Sequence, residues 1–270
     1  MAAPTARPGA DVSRKLDAII LHKSSAPLFE LLLLGILAGV YIGFGAVAAT
    51  TVLAHGDPSD AVTKFLAASA FCVGLVLVVI PGSELFTGNI LMTAGIAGRK
   101  VGVGRVLRNW VVVYCGNFLG ALMLSAIVYA SGLTDPAGPV GQMAAKIATS
   151  KIALPVGQAL ARGVLCNMLV CLAVIIVIAS KTTTGKVVGL YFPIMVFVLS
   201  GFEHSIANMY FLPAGLLARG ALWGEFWSMF HNLVPVTIGN IAGGMLVVLL
   251  HPARAKALTR RFSQVPPAGA

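Results

Sequence analysis

The amino-acid sequence predicts an all-α polytopic membrane protein with six transmembrane helices, arranged as an inverted three-plus-three repeat. Three observations predict this fold. Hydrophobic residues make up 58% of the 270 residues and charged residues only 10%, with a mean hydropathy of +0.91, whereas an ordinary soluble domain carries about 25% charged residues. The chain also contains six long apolar runs, and its first half resembles its second half in sequence.

Each apolar run is long enough for a membrane-spanning helix, which needs about 20 mainly apolar residues. The six runs cover residues 27–54, 62–96, 109–131, 160–180, 187–217 and 226–251. The second and fifth runs are longer than one crossing requires, and each is interrupted by a glycine and a glutamate. We therefore expect the second and fifth helices to be broken within the membrane.

The distribution of basic residues predicts the orientation. Six crossings place both termini and the second-to-third and fourth-to-fifth connections on one side, which then carries 14 of the 19 Lys and Arg residues. The positive-inside rule makes this side cytoplasmic. The net charge of +10 then follows from topology and requires no nucleic acid. No organellar transit peptide is recognisable, so we expect a bacterial inner (plasma) membrane.

The internal repeat aligns the two interruptions with each other. "GSELFTGN" (82–89) lies over "GFEHSIAN" (201–208), and "NWVVVYCGNFLG" (109–120) lies over "NLVPVTIGNIAG" (232–243). A unit of three crossings must be followed by a second unit of opposite orientation, with a pseudo-twofold axis in the membrane plane. Irregular backbone at this depth is tolerated only inside protein or beside an aqueous cavity, so the breaks indicate a substrate path near the midplane.

The ionisable residues of the breaks allow alternative interpretations. Glu84 and Glu203 are expected to cap the helices that follow each break by accepting from free backbone N–H groups, with or without contacting substrate. Leu85 of the first break corresponds to His204 of the second, so only one break titrates near neutral pH. His204 is either a functional group or a neutral ring bonded to backbone carbonyls.

The surroundings of the breaks favour an anion over a cation. Helix N-termini carry partial positive charge, and the two carboxylates are neutralised locally if they cap these ends. Leu75 and Phe197 precede the breaks and either constrict a path or simply pack. No nucleotide-binding, zinc-protease or CxxC motif is present, so we expect no enzyme activity, no cofactor and no metal.

Four segments together resemble the formate/nitrite transporter family: "GSELFTGN", "RGVLCNMLVCLAV" (162–174), "GFEHSIANMYF" (201–211) and "NLVPVTIGNIAGG" (232–244). The resemblance covers about residues 15–255. It implies an aquaporin-like protomer, a homopentamer with one pore per protomer, and passage of small monovalent anions or their conjugate acids, such as formate, nitrite, hydrosulfide, acetate or lactate. Some formate channels have Asp for Glu84, and this departure favours the nitrite, hydrosulfide or general-formate branches.

The resemblance also implies roles for individual residues. It makes His204 the central pore histidine, and it makes Lys151, or else Lys146, the lysine of an entrance vestibule. The substrate pathway implied in this way contains His204, Glu203, Thr87, Lys151, Asn167 and Asn240, with constrictions at Leu75 and Phe197.

The sequence therefore predicts a channel or proton-linked transporter for anions of weak acids, neutralised near His204. Its partners would be the anions, protons, membrane lipid and four further copies. The alternative is a channel of the same fold for a neutral solute such as water or ammonia, although the chain has no Asn-Pro-Ala signature. The expected domains are a cytoplasmic N-terminal segment (1–26), a transmembrane channel domain (27–251, repeats about 27–131 and 160–251) and a cytoplasmic tail (252–270).

Overall fold

The computed structural model describes Ala6 and residues 9–250. The regular secondary structure of this part of the chain is helical, apart from one isolated bridge between Ala6 and Ser180. The predicted tail, 252–270, lies outside the described residues. The helices are α1 (Gly9–Ser25), α2 (Leu28–His55), α3 (Ala61–Val79), α4 (Phe86–Asn89), α5 (Thr93–Ala97), α6 (Val103–Ala130), α7 (Pro139–Ile152), α8 (Val156–Ala179), α9 (Thr183–Leu199), α10 (Ser205–Ala218) and α11 (Phe230–Leu250), with 3₁₀ turns at Ile90–Met92 and Trp223–Met229.

Five helical segments of the described chain are long and apolar enough to cross a membrane: Leu28–His55, Ala61–Val79, Val103–Ala130, Val156–Ala179 and Trp223–Leu250. The fifth apolar run instead forms two shorter helices, α9 and α10, and the second run continues from α3 through the short helices α4 and α5. The expectation of an all-helical membrane protein is confirmed.

Both long runs are interrupted by the same turn. Gly82 and Gly201 have φ values of 92° and 67°, a region that glycine enters at little cost. The following N–H groups, of Ser83 and Phe202, donate to carbonyls five residues back, at 2.9 and 3.0 Å. This 6→1 bond is typical of the Schellman motif that ends a helix. Helices α3 and α9 therefore end because a glycine at this position allows that turn.

Close packing of glycine-containing helices joins α2 to α6 and α8 to α11. A methyl group at Gly120 would lie 2.0 Å from the carbonyl oxygen of Ile36, and one at Gly243 would lie 2.1 Å from that of Val164. Small residues allow helix backbones to approach in this way, which is a common packing mode in membranes. The third long helix of each half is thereby held against the first.

Two shorter helices lie beside these bundles. Helix α1, within the segment expected to lie outside the transmembrane domain, buries Ile20 against Met92, Val101 and Val106. Helix α7 was not predicted, since its 14 residues are too short and too polar for a crossing. It packs against α10 and α2, and its last turn contains Lys151.

Replacing Gly120 or Gly243 with alanine should destabilise the protein by about 1–3 kcal/mol or more, because the added methyl group would overlap a backbone oxygen that cannot move freely. Thermal unfolding of the purified protein in detergent measures the effect. Gly104→Ala, in the first turn of α6 with nothing within 4 Å of the added methyl, is the matched control. Equal unfolding temperatures for all three variants would contradict this account of the packing.

Candidate substrate pathway

Residues of the two broken segments line two separate cavities. The Lys151 cavity has a volume of about 400 Å³, and its lining includes Phe197 and His204. The Lys23 cavity has a volume of about 620 Å³, and its lining includes Leu75 and Leu85. The two residues proposed as constrictions, Phe197 and Leu75, therefore lie at different cavities.

A buried hydrogen bond links the two breaks. Thr87 Oγ1 lies 2.8 Å from His204 Nε2, and both side chains are almost completely buried. The other ring nitrogen, His204 Nδ1, accepts from the backbone N–H of Ala207 at 3.1 Å and caps α10. Because Nδ1 is an acceptor, the proton of the neutral ring is on Nε2, which donates to Thr87. His204 thus bonds to a backbone N–H, not to the carbonyls considered above.

A charged cluster surrounds the second break. Lys151 Nζ donates to Glu203 Oε1 at 2.8 Å. Glu203 Oε2 accepts from Asn208 at 2.6 Å and from Asn232 at 3.2 Å, and Asn232 also donates to the carbonyl of Lys151 at 3.0 Å. Lys146, the alternative vestibule lysine, lines the same cavity and is exposed. The buried carboxylate is therefore paired and fully hydrogen-bonded, as burial requires.

The first break carries a matching cluster that the sequence interpretation missed. Lys23 Nζ donates to Glu84 Oε1 at 2.7 Å, and Asn89 donates to Glu84 Oε2 at 2.6 Å. Asn109 accepts from Asn89 and donates to the carbonyl of Lys23 at 3.3 Å. A signal existed, since Lys23 precedes Gly35 by twelve residues, as Lys151 precedes Gly163. Helices α1 and α7 thus supply equivalent lysines.

The helix starts after the breaks are held by asparagines, not by glutamates. Asn117 Oδ1 accepts from the N–H of Phe86 at 3.0 Å, and its Nδ2 donates to the carbonyls of Gly35 and Glu84 at 2.8 and 2.9 Å. The described hydrogen bonds of the Glu84 and Glu203 carboxylates are all to lysine and asparagine side chains. The expectation that these carboxylates cap the helices is therefore corrected.

Asn240 makes the corresponding three bonds in the second half. Its Oδ1 accepts from the N–H of Ser205 at 2.9 Å, and its Nδ2 donates to the carbonyls of Gly163 and Glu203 at 2.8 and 2.9 Å. Asn167 donates to the carbonyl of Asn240 at 2.6 Å. Neither Asn167 nor Asn240 lines the two cavities described here. Both residues instead hold the backbone of neighbouring segments by hydrogen bonds.

Aromatic rings surround the entrance to His204. The ring of Phe197 stacks on the imidazole with a centroid distance of 5.8 Å, and Phe71 meets Phe197 edge-on at 5.7 Å. Phe211 stacks on Phe71 and lies 5.4 Å from Lys151 Nζ. Phe71, Phe197, Phe211 and His204 all line the Lys151 cavity, so the polar ring of His204 lies beside apolar rings there.

The apolar helices, the two cavities and the buried polar link between them define a membrane transport protein. The comparison with known families specifies it further: the chain matches the formate/nitrite transporter family over residues 10–253 and belongs to that family. The sequence-based identification is confirmed, as is the prediction that the protein is an anion channel or transporter and not an enzyme.

Three known proteins show the range of the similarity. A probable formate transporter of Methanothermobacter thermautotrophicus is 41% identical over 257 residues, covering 88% of this chain and 93% of the relative. A solved pentameric formate channel with formate bound is 36% identical, with a TM-score of 0.73, covering 87% and 98%. The aquaglyceroporin of Plasmodium falciparum is 14% identical with a TM-score of 0.53, covering 86% and 100%, a likeness of fold alone.

Removing one member of a buried ion pair should lower the free energy of unfolding far more than removing one member of an exposed ion pair. Lys151→Met should cost about 3–5 kcal/mol, because it leaves the carboxylate of Glu203 buried without its cation. The double variant Lys151→Met/Glu203→Gln should recover much of this loss. Thermal unfolding in detergent measures both.

Lys100→Met is the matched control, since it breaks the more exposed pair with Asp17 and should cost only about 0–1 kcal/mol. A Lys151→Met variant as stable as this control, or a double variant less stable than Lys151→Met, would contradict the assignment of a buried pair.

Proposed function

We propose that the protein is a channel or proton-linked transporter that moves small monovalent anions of weak acids, such as formate, nitrite and hydrosulfide, across the membrane. The observation that carries the proposal is the buried Thr87–His204 hydrogen bond, with a lysine-bearing cavity next to each of the two broken segments. This arrangement presents hydrogen-bond donors to a passing anion. Formate is the first candidate, since a 41% identical relative and a 36% identical structure carry that substrate in their names.

The path begins at Lys151, whose ammonium attracts the anion into the cavity, and continues past Phe197 to His204 and Thr87. It leaves past Leu75 into the Lys23 cavity. A bare anion in such an apolar interior costs on the order of tens of kcal/mol by idealised solvation arguments, so it crosses as the neutral acid. Burial raises the pKa of a carboxylate and thereby favours its protonation there.

The geometry of His204 favours water of the cavities as the source of the proton. The neutral ring has its proton on Nε2 and its Nδ1 engaged by Ala207. A second proton on the ring would have to displace that backbone bond. In this proposal Thr87, whose oxygen accepts from His204, orients the anion by donating its own hydroxyl hydrogen to it. The proton arrives from the aqueous side.

We further propose that the chain crosses the membrane six times as an inverted repeat, with α3–α5 as the broken second crossing and α9–α10 as the broken fifth. The equivalent bonds of Asn117 and Asn240, and of Lys23 and Lys151, support this arrangement. The aquaporin-like fold agrees with the likeness to the aquaglyceroporin.

The arrangement in the cell is also a proposal. Both termini lie in the cytoplasm, with the segment 1–26 and the tail 252–270 on that side of the 27–251 channel domain. The membrane is a bacterial inner membrane, whose lipid and protons are partners. The homopentamer is supported by the 36% identical pentameric channel.

The role of His204 can be separated from its structural role by two substitutions. His204→Asn keeps a side-chain cap on α10, since asparagine is a favoured N-cap, whereas His204→Ala removes both the cap and the imidazole. We expect His204→Asn to unfold close to the native temperature yet to lose most of its pH-dependent anion uptake. Uptake of formate, nitrite and hydrosulfide into proteoliposomes at external pH values from about 5 to 8 measures this.

The native protein should take up these anions faster as the external pH falls, because neutralisation consumes a proton from that side. The result that would overturn the proposal is pH-independent uptake by the native protein. Absence of any uptake by folded, oligomeric native protein would direct attention to water or ammonia, the neutral solutes considered from the sequence.

A further inference from the structure

The two cavities occupy equivalent places in the repeat but differ at one equivalent position. The N–H of Glu84 donates to the carbonyl of Leu34, and the N–H of Glu203 donates to the carbonyl of Arg162, each at 3.3 Å. These bonds identify Leu34 and Arg162 as counterparts. Leu34 lines the Lys23 cavity and Arg162 lines the Lys151 cavity, so an apolar side chain on one side is replaced by a permanent cation on the other.

The described linings differ in overall charge, and Arg162 accounts for one charge of that difference. The Lys151 cavity is lined by four cationic side chains and one carboxylate: Lys64, Lys146, Lys151, Arg162 and Glu203. The described lining of the Lys23 cavity contains two lysines and two carboxylates, besides a histidine: Lys15, Lys23, Glu30, Glu84 and His22. Among described residues, only the first cavity has a clear excess of positive charge.

Arg162 is a cation of this cavity without an ion-pair partner among the described residues, and its counterpart in the first half is apolar. Lys151 is paired with Glu203. Lys64 and Lys146 have no carboxylate within ion-pair distance among the described residues. Arg162 has no carboxylate partner within the described residues, and the hydrogen bond described for its side chain is a long one, 3.5 Å, to the carbonyl of Gly201.

We infer that Arg162 makes the Lys151 cavity an anion-capture site, so that the protein binds its anion more tightly from that face than from the other. The inference rests on the proposed function. A guanidinium offers several donors in a planar fork suited to carboxylate-like anions. Positive charge in a cleft raises the local concentration of anions by about 10- to 1,000-fold, and Arg162 supplies a share of that field.

The capture site changes rates without driving net flow. In passive transport the ratio of maximal rate to half-saturation concentration is the same in both directions when pH and voltage are equal. Tighter binding at the Lys151 face therefore lowers both the half-saturation concentration and the maximal rate for entry from that face. The asymmetry is a kinetic signature that equal cavities would not produce.

The internal repeat supplies the substitutions that test this. Arg162→Leu installs the residue of the counterpart position, and Leu34→Arg performs the reciprocal change. Initial uptake of formate and nitrite is measured in right-side-out and inverted membrane vesicles at fixed, equal pH. We expect Arg162→Leu to raise the half-saturation concentration at the Lys151 face by about three- to tenfold. The double exchange should reduce the native asymmetry without reversing it, because Lys64 and Lys146 still line the Lys151 cavity.

Two controls separate charge from structure. Arg162→Lys keeps the charge and should restore most of the native half-saturation concentration. Arg219→Gln removes an exposed arginine that pairs with Glu225 and does not line the cavity, and should change nothing. The difference between native protein and Arg162→Leu should shrink at high concentrations of an impermeant salt, since about 1 M salt screens charges beyond about 3 Å.

The outcomes distinguish the two proposals. Uptake of these anions with the same half-saturation concentration at both faces, or unchanged by Arg162→Leu, would overturn the capture site and leave the proposed function intact. An equal loss of affinity in Arg162→Lys would also overturn it, because the effect would then not follow the charge. No uptake by the native protein would overturn the proposed function, and the capture inference with it.

Discussion

The structure depends on satisfying the polar backbone where two helices stop inside an apolar environment. Without water, each free N–H or C=O group there costs several kcal/mol. Asn117 and Asn240 meet this requirement with three hydrogen bonds each, joining the broken segment to the first long helix of the same half. Each amide reaches its partners because glycines one turn away, Gly120 and Gly243, let the helices approach closely.

The same arrangement determines what the path presents to a solute. Both buried glutamates are occupied by lysine and asparagine, so their carboxylates are unavailable as ligands for a cation. The Nε2–H of His204 is a donor because its Nδ1 already accepts from the backbone. The Lys151 cavity also has an excess of cationic side chains, which agrees with membership of a family of anion transporters.

Composition and the repeat were sufficient to predict the class of fold and the positions of both breaks, since apolar length and glycine–glutamate interruptions are local properties of the chain. The partners of Glu84 and Glu203 were not predictable in this way. A glutamate beside a helix start is equally compatible with capping and with a lysine from a distant helix, and the lysines lie 61 and 52 residues away. Helix α7 was not predicted because its sequence is not apolar enough for a membrane crossing and lacks a pattern typical of a surface helix.

The three described hydrogen bonds of the Asn117 side chain all join residues between 35 and 117. Those of the Asn240 side chain join residues between 163 and 240. Other side-chain bonds join the two halves, such as Thr87 to His204 and Tyr114 to Thr237. The bonds of Asn117 therefore need no residue of the second half. The link between Thr87 and His204, in contrast, requires both halves of the chain to be in place.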